Sequence, residues 1–408
     1  MNTEEVARKN KQRQLARNLA VVIFGIVIAY SSFWVGYLTG RDRALVTKLG
    51  ERVINTETGR PKEVDFARYW EAWSKLNEKA ITSVPAEKMI QGSIAGLAAS
   101  LGDPYTVFFT PEENKRFRED ISGEFSGIGV EIIEKSGLPV IVAPLADSPA
   151  ERSGLKAGDI IVAVDDAKTD TISLDETINR IRGDKGKPVK IKISRASETL
   201  DFEVTRETIT VKSVSMETRE SGGNKYAVIK IRQFGDDTDR LFGEIVSQIQ
   251  ASRPKGIVLD LRNNPGGYLE GAVDLAGNFL DGGVVVIEKG KDKKNKEYKT
   301  ANRPKLKGYK LAVLVNKGSA SASEIFAGAI QDRGAGRIIG EKTFGKGSVQ
   351  EVVDLSDGSS IKVTVASWFT PHGRQINDEG IAPDIESSDD GNTPEDEVLE
   401  RGLEYLGN

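Results

Sequence analysis

The sequence predicts an α/β layer interrupted by a strand-rich module, preceded by a helical region and a single membrane-spanning helix. Three observations predict it. Between residues 208 and 386, buried-type strands ("KYAVIKI", "GIVLDL", "LAVLVN", "RIIGE") alternate with helical segments such as "DTDRLFGEIVSQIQ", "YLEGAVDLAGNFL" and "ASEIFAGAIQD". That alternation means helices layered on a largely parallel sheet. Between 122 and 207, short apolar runs are broken by glycine turns. Finally, Leu19 to Leu38 contains no charged residue.

Taken in order, residues 1–18 form a basic N-terminus. Arg8, Lys9, Lys11, Arg13 and Arg17 precede the uncharged run "LAVVIFGIVIAYSSFWVGYL". A helix of that length spans about 30 Å, the thickness of a bilayer core. The basic flank keeps 1–18 cytoplasmic, so 19–38 is a transmembrane anchor and the remainder lies across the membrane. A cleaved signal peptide is the competing reading, because Ala29-Tyr30-Ser31 is a small-x-small site. The apolar run continues past it through Phe33, Trp34, Val35 and Tyr37, too long for a signal core. Residues 39–61 are a polar tether.

Residues 62–121 read as helical. Phe66, Tyr69, Trp70 and Trp73 fall at three-to-four spacing. Pro85 opens a second helix that Gly102 closes, and "TPEE" from Thr110 is a capping box with proline at the first helical position. In the module at 122–207, "GIGVEII", "LPVIVAPL", "DIIVAVDD", "PVKIKIS" and "LDFEV" are strands. "SLDETINRIRG" is a helix with Ser173 and Glu176 at capping-box spacing. The α/β layer, 208–386, closes with "SVQEVVDL" and "SIKVTVASWF" flanking "SDGS", a hairpin. Residues 387–408 are an acidic tail ending in a short helix capped by Thr393 and Pro394.

Composition excludes several classes. With no cysteine, disulfides, thiol catalysis and thiolate metal sites are absent together. One histidine, His372, rules out a histidine-rich metal site, and no calcium-loop pattern is present. A net charge of −4 gives no global basic field for nucleic acid. The basic stretch Lys289 to Lys299 is a solvated hairpin turn.

Reactive groups in α/β sheets gather where strands end and helices begin. Two loops occupy that place: "LRNNPGG", Leu261 to Gly267, and "NKGSASASE" after "LAVLV". Glycines expose backbone N–H groups, and a helix N-terminus adds unpaired ones, which suits a developing oxyanion. Ser319, Ser321 and Ser323 all stand at the second loop, and residue chemistry alone does not choose among them. A helix-start serine is most often only a cap. The "GxSxG" elbow of α/β-hydrolases is missing. His372 sits in "FTPHGRQIND" with no carboxylate nearby to orient it. Lysine is the better base. "EKTFGKGSVQE" places Lys346 between two glycines just before a strand. Burial there would lower its pKa and leave a neutral amine. At period two, Lys346, Ser348 and Gln350 share a face, with the amide orienting the amine.

Taken together, these motifs resemble the carboxyl-terminal processing proteases, or tail-specific proteases, from about residue 62 to 386. The matching set is the helical region, the strand-rich module, "LRNNPGG", "GSASASEI", "GEKTFGKGSVQ" and "TPHGRQINDEGIAPDI" in that order. The resemblance implies a layered α/β core of the crotonase and Clp-protease kind with an inserted PDZ domain at 122–207. It implies a Ser–Lys endopeptidase without metal or cofactor. It assigns Ser321 as nucleophile, Lys346 as base and Gln350 as the residue holding the lysine. The N–H groups of Gly267 and Ala322 become the oxyanion donors. In the PDZ domain, "SGIGVEI" takes the place of the carboxylate-binding loop, so Ile128, Gly129 and Val130 would bind a peptide terminus. The implied partners are protein or peptide substrates with free C-termini and the membrane, without nucleic acid; a homo-oligomer is compatible. The implied location is a bacterial-type cytoplasmic membrane with the catalytic domain outside, or the periplasm if the leader is cleaved. The rivals are a PDZ adaptor on an inactive scaffold and a crotonase-type enzyme with a coenzyme A site.

Overall fold

Alternating burial along the strands builds the core of the catalytic layer. The computed structural model describes residues 64–291, 295–300, 304–389 and 395–408. The expected basic N-terminus, the anchor Leu19–Leu38 and the tether lie outside the described residues, as do Thr393 and Pro394. Among the described residues no helix is long and apolar enough to cross a membrane.

Six strands form the main sheet, in spatial order Val214–Ser221, Asn224–Ile231, Gly256–Asp260, Lys310–Val315, Arg337–Gly340 and Ile385–Glu386. The first pair is antiparallel and the other four pairings are parallel. Successive side chains point to opposite faces. Ala227, Ile229 and Ile231 join one core cluster, which also holds helices Thr238–Ser252, Leu269–Ala276 and Ala322–Asp332. Tyr226 and Val228 join another, beneath helix Glu397–Gly407. The C-terminal stretch that reads as an acidic tail is therefore a full layer of the sandwich. Val398, Leu399, Leu403 and Leu406 of its helix are buried. Its N-cap is Asp396, whose carboxylate accepts from the Leu399 N–H at 2.9 Å.

A second, antiparallel sheet contains Val107–Phe109, Ser360–Phe369, Gly283–Gly290 and Asn295–Thr300, with Ser348–Asp354 paired to Ser360–Phe369 as the expected hairpin. Helix Pro111–Ser122 starts with the full capping box of Thr110 and Glu113. The strand-rich module orders its strands Val130–Lys135, Leu138–Pro144, Ile160–Val164, Pro188–Arg195 and Glu198–Thr205, all antiparallel. Ile141, Ile161, Val189, Ile191 and Ile193 fill its core. Glu124–Gly127 pairs with Glu207–Thr210 where the module joins the catalytic layer.

The chain divides into two units, Met1–Gly92 and Ser93–Asn408. In the first, helix Ala67–Lys79 buries none of its residues. Its aromatic stripe packs on itself instead, with Tyr69 and Trp70 edge to face at 5.0 Å.

Candidate active site

Strands Gly256–Asp260 and Lys310–Val315 are parallel neighbours, so the loops that follow them emerge side by side. The two loops are stitched together. Ala320 N–H donates to the Asn264 carbonyl at 3.0 Å. Ser319 Oγ donates to the Leu261 carbonyl at 2.8 Å, and Ser323 Oγ to the Asn264 carbonyl at 3.1 Å. Both of these serines are fully buried. Only the middle one, Ser321, lines the large cavity of the catalytic layer. Its backbone sits at φ 54°, ψ −114°, a region that non-glycine residues enter only when their surroundings force them.

That cavity, of about 880 Å³, is lined by Gly266, Gly267, Ser321, Ala322, Lys346, Ser348, Gln350 and Lys362 among others. The expected nucleophile, base and oxyanion donors thus share one space. Among the described residues, neither the Gly267 nor the Ala322 N–H is spent on a backbone partner. Gly267 has φ +133°, and a Cβ there would lie 2.1 Å from the Phe234 carbonyl oxygen. A Cβ on Gly266 would lie 2.7 Å from that of Ser321. The glycine pair is required by this close approach.

Lys346 is largely buried, and its ammonium faces the Tyr105 ring at 5.4 Å. Burial pushes its pKa below the ordinary lysine value, against the opposing pull of Glu324. Gln350 departs from expectation in its partner. Its Nε2 donates to Ser348 Oγ at 2.6 Å, not to the lysine. The regular strand begins at Ser348, after Lys346, and its register shifts between Val349 and Gln350. The even spacing from Lys346 to Gln350 therefore does not translate into one continuous strand face. His372 is two-thirds exposed, beside Asp332, and is not part of the cavity wall.

One residue of this site escapes sequence reasoning. Glu324 is fully buried in helix Ala322–Asp332. Its Oε1 accepts from Thr343 Oγ1 at 2.6 Å and Gly345 N–H at 2.7 Å. Its Oε2 accepts from Ser321 N–H at 2.8 Å and Lys346 N–H at 2.9 Å. A single carboxylate thus ties the backbone of Ser321 to the backbone of Lys346. Desolvation raises its pKa, and the four donors hold the rise in check. The signal was the Ser-x-x-Glu spacing from Ser321, the same spacing that marks the cap at Thr110. Glu324→Gln replaces one acceptor oxygen by an NH₂ group and leaves two donors without a partner. Each such loss costs about 1–3 kcal/mol. The expected result is a lower Tm together with a fall in kcat of about 100-fold, KM changing far less. A variant with wild-type kcat would remove Glu324 from the positioning machinery.

The expected peptide loop lies elsewhere. Ile128, Gly129 and Val130 lead into Val130–Lys135, an edge strand of the module, and none of them lines the Ser321 cavity. Gly129 has φ +76°, and a Cβ would meet that of Ser148 at 2.5 Å. The loop carbonyls of Ile128 and Gly129 accept from Ala150 and Leu145 N–H, both at 2.9 Å.

Known proteins resemble this chain in sequence and fold. Residues 225–387 match the profile of peptidase family S41, and residues 140–195 that of a PDZ domain. A probable CtpA-like serine protease of Staphylococcus epidermidis is 37% identical over 396 residues, which is 95% of this chain and 77% of the relative. A protein of the same description from Staphylococcus aureus is 37% identical over 84% of this chain and 69% of the relative. Among solved structures, a photosystem II D1 C-terminal processing protease superposes with a TM-score of 0.53 at 30% identity, covering 83% of this chain and 91% of that one. A putative S41 protease from Bacteroides fragilis has a TM-score of 0.55 at 15% identity, covering 88% and 99%, and shows the shared fold. Identity of this order over nearly the whole chain, with the S41 profile lying on the layer that holds Ser321 and Lys346, places this chain in peptidase family S41 as a PDZ-containing, CtpA-like C-terminal processing serine protease.

Proposed function

We propose that this peptidase is a membrane-anchored endopeptidase that cleaves extracytoplasmic polypeptides near their C-termini with a Ser321–Lys346 dyad. The observation that carries the reading is the single cavity in which Ser321, Lys346, Gly267 and Ala322 meet. Ser321 Oγ attacks the scissile carbonyl while the neutral Lys346 amine takes its proton. The oxyanion that forms receives the Gly267 and Ala322 N–H groups. Lys346 then protonates the leaving amine, an acyl-enzyme remains on Ser321, and water clears it. Gln350 lines the same cavity but donates to Ser348 Oγ, so it is not assigned a bond to the lysine. The uncharged run Leu19–Leu38 behind its basic flank supports the anchor.

A fluorophosphonate probe tests this directly. It should label the full chain on Ser321 alone, as read by peptide mass mapping, and the label should be lost in Lys346→Met. An unlabelled protein would favour the rival PDZ adaptor on an inactive scaffold.

The PDZ domain would read the substrate terminus. Its edge strand Val130–Lys135 is open to an added peptide strand, and N–H groups of Ile128, Gly129 and Val130 would meet the carboxylate. Amidating the substrate removes charge-assisted hydrogen bonds worth about 1.5–3 kcal/mol each. The expected result is a drop in kcat/KM of about tenfold or more relative to the free acid. Equal rates for the two peptides would remove terminus reading from this domain.

A further inference from the structure

The cleft holds a second lysine that the Ser–Lys reaction does not use. Three cationic side chains line the cavity: Arg118, Lys346 and Lys362. Arg118 is paired with Asp354 across the cavity rim, and Lys346 is the proposed base. Lys362 is half-buried near the start of strand Ser360–Phe369. Among the described residues no carboxylate comes within ion-pairing distance of it. Its ammonium rests instead over two rings, 5.3 Å from the centroid of Phe109 and 5.5 Å from that of Phe117. Those rings are stacked on each other at 5.1 Å, so the seat is rigid.

Aromatic faces attract a cation without neutralising it. A half-buried ammonium so placed keeps its full demand for an anion. Of the three acids lining the cavity, Asp120, Asp236 and Glu270, none is ion-paired with Lys362, and two have other partners. Asp120 binds Arg182 at 2.7 Å, and Asp236 hydrogen-bonds Tyr268. Asp103, the nearest acid to bear on Lys362, accepts from Thr106 Oγ1 at 2.6 Å and from Tyr105 N–H. Burial and the like charge of Lys346 both press on Lys362, while Asp103 eases it. An incoming anion would relieve that pressure.

We propose that Lys362 is the carboxylate receptor of the cleft: seated on the Phe109–Phe117 pair, it binds an acidic group of the polypeptide being cut. The anions a polypeptide offers are Asp and Glu side chains and its own terminal carboxylate, so one chemistry has two sources. This role is separate from the PDZ loop, which does not border the cavity. It rests on the reading that Ser321 and Lys346 cut peptides in this cleft. Lys362 is then a specificity residue, and it would favour substrates with an acidic residue at one fixed distance from the scissile bond.

The test uses the full chain and a set of internally quenched peptides. Glu is compared with Gln at each position flanking the cut, and a free-acid with an amidated end. The readout is the ratio of kcat/KM for acidic over neutral peptide. Wild type is expected to show a ratio of about ten or more at one position. Lys362→Met should bring that ratio to about one, and Lys362→Arg should restore most of it. If the ratio that collapses is Glu over Gln, the source is a side chain; if it is acid over amide, the source is the terminus. Should Lys362→Met fold poorly, the same ratio is read from peptide Kd values of Ser321→Ala with and without Lys362→Gln. A ratio near one at every position in wild type, or one that survives in both Lys362→Met and Lys362→Gln, overturns the proposal. Wild-type turnover by Ser321→Ala would instead overturn the underlying dyad, an outcome the peptide ratios do not mimic.

Discussion

Replacing Ser321 by alanine is expected to lower kcat/KM by about three orders of magnitude or more, while Ser319→Ala and Ser323→Ala remain peptidases. Removing a nucleophile leaves only what the oxyanion donors and binding supply. The neighbouring serines play a different part. Ser319 Oγ accepts from the Asn316 N–H at 3.0 Å and donates to the Leu261 carbonyl, and Ser323 Oγ donates to the Asn264 carbonyl. Their hydroxyls are consumed in joining two loops inside a fully buried site. Losing Ser319 leaves the Asn316 N–H unpaired, at about 1–3 kcal/mol, and losing Ser323 removes one of the two donors to the Asn264 carbonyl. Those variants should therefore melt earlier and still turn over. The comparison needs Tm and kcat/KM on all three proteins. Near wild-type turnover by Ser321→Ala would end the assignment.

Lys346→Arg and Lys346→Met should each cut kcat by about 100-fold to 10,000-fold, the usual worth of a general base. Arginine keeps its proton at any working pH, and methionine has none to exchange. In the wild type, burial lowers the lysine pKa and Glu324 partly opposes it. In the proposed mechanism the neutral amine is the active form, so kcat/KM should rise with pH through a midpoint below the ordinary lysine value and then level. The same shift sets the sign for stability. Between the lowered folded pKa and the unfolded value, the unfolded chain binds more protons, so stability gains as pH rises across that window. Lys346→Met removes this dependence and the buried charge with it, and its Tm at neutral pH should not fall. His372→Ala should retain activity with an unchanged pH profile. A dead, well-folded His372→Ala would contradict the lysine mechanism.

The central parallel strands of the main sheet were legible as short apolar runs, and Gly256–Asp260 is buried on both faces. The hairpin of Ser348–Asp354 and Ser360–Phe369 was legible from its turn residues. The choice among three serines was not. Ser319, Ser321 and Ser323 alternate with alanines, and only carbonyls delivered from Leu261 and Asn264 separate the structural pair from the exposed one. Glu324 was hidden for a related reason. Its local spacing is that of an ordinary cap, whereas three of its four donors, Thr343, Gly345 and Lys346, arrive from a loop beyond the end of its helix. The face-sharing argument for Gln350 assumed a strand running back to Lys346, and the bulge at Val349 voids that assumption. The last helix was legible, but its cap is Asp396 and not Thr393, and its packing on the sheet was hidden because the acidic residues around it mask the spacing of Val398, Leu399, Leu403 and Leu406.

That last helix bears on the oxyanion loop. Arg262, the second residue of the loop, is nearly buried. It forms paired bonds to Asp260 at 2.9 and 2.8 Å and to Asp396 at 2.7 and 2.7 Å. Burial works against its charge, and those carboxylates outweigh it and hold the guanidinium protonated. Half of this anchorage is the N-cap of helix Glu397–Gly407, which also covers one face of the main sheet. During synthesis, at about 5–20 residues per second, that helix leaves the ribosome after every other element described. Until it arrives, the guanidinium lacks one of its two paired carboxylates and Tyr226, Val228 and Val258 remain uncovered. The loop carrying Gly267 thus depends for half of its anchorage on a residue 134 positions further along the chain.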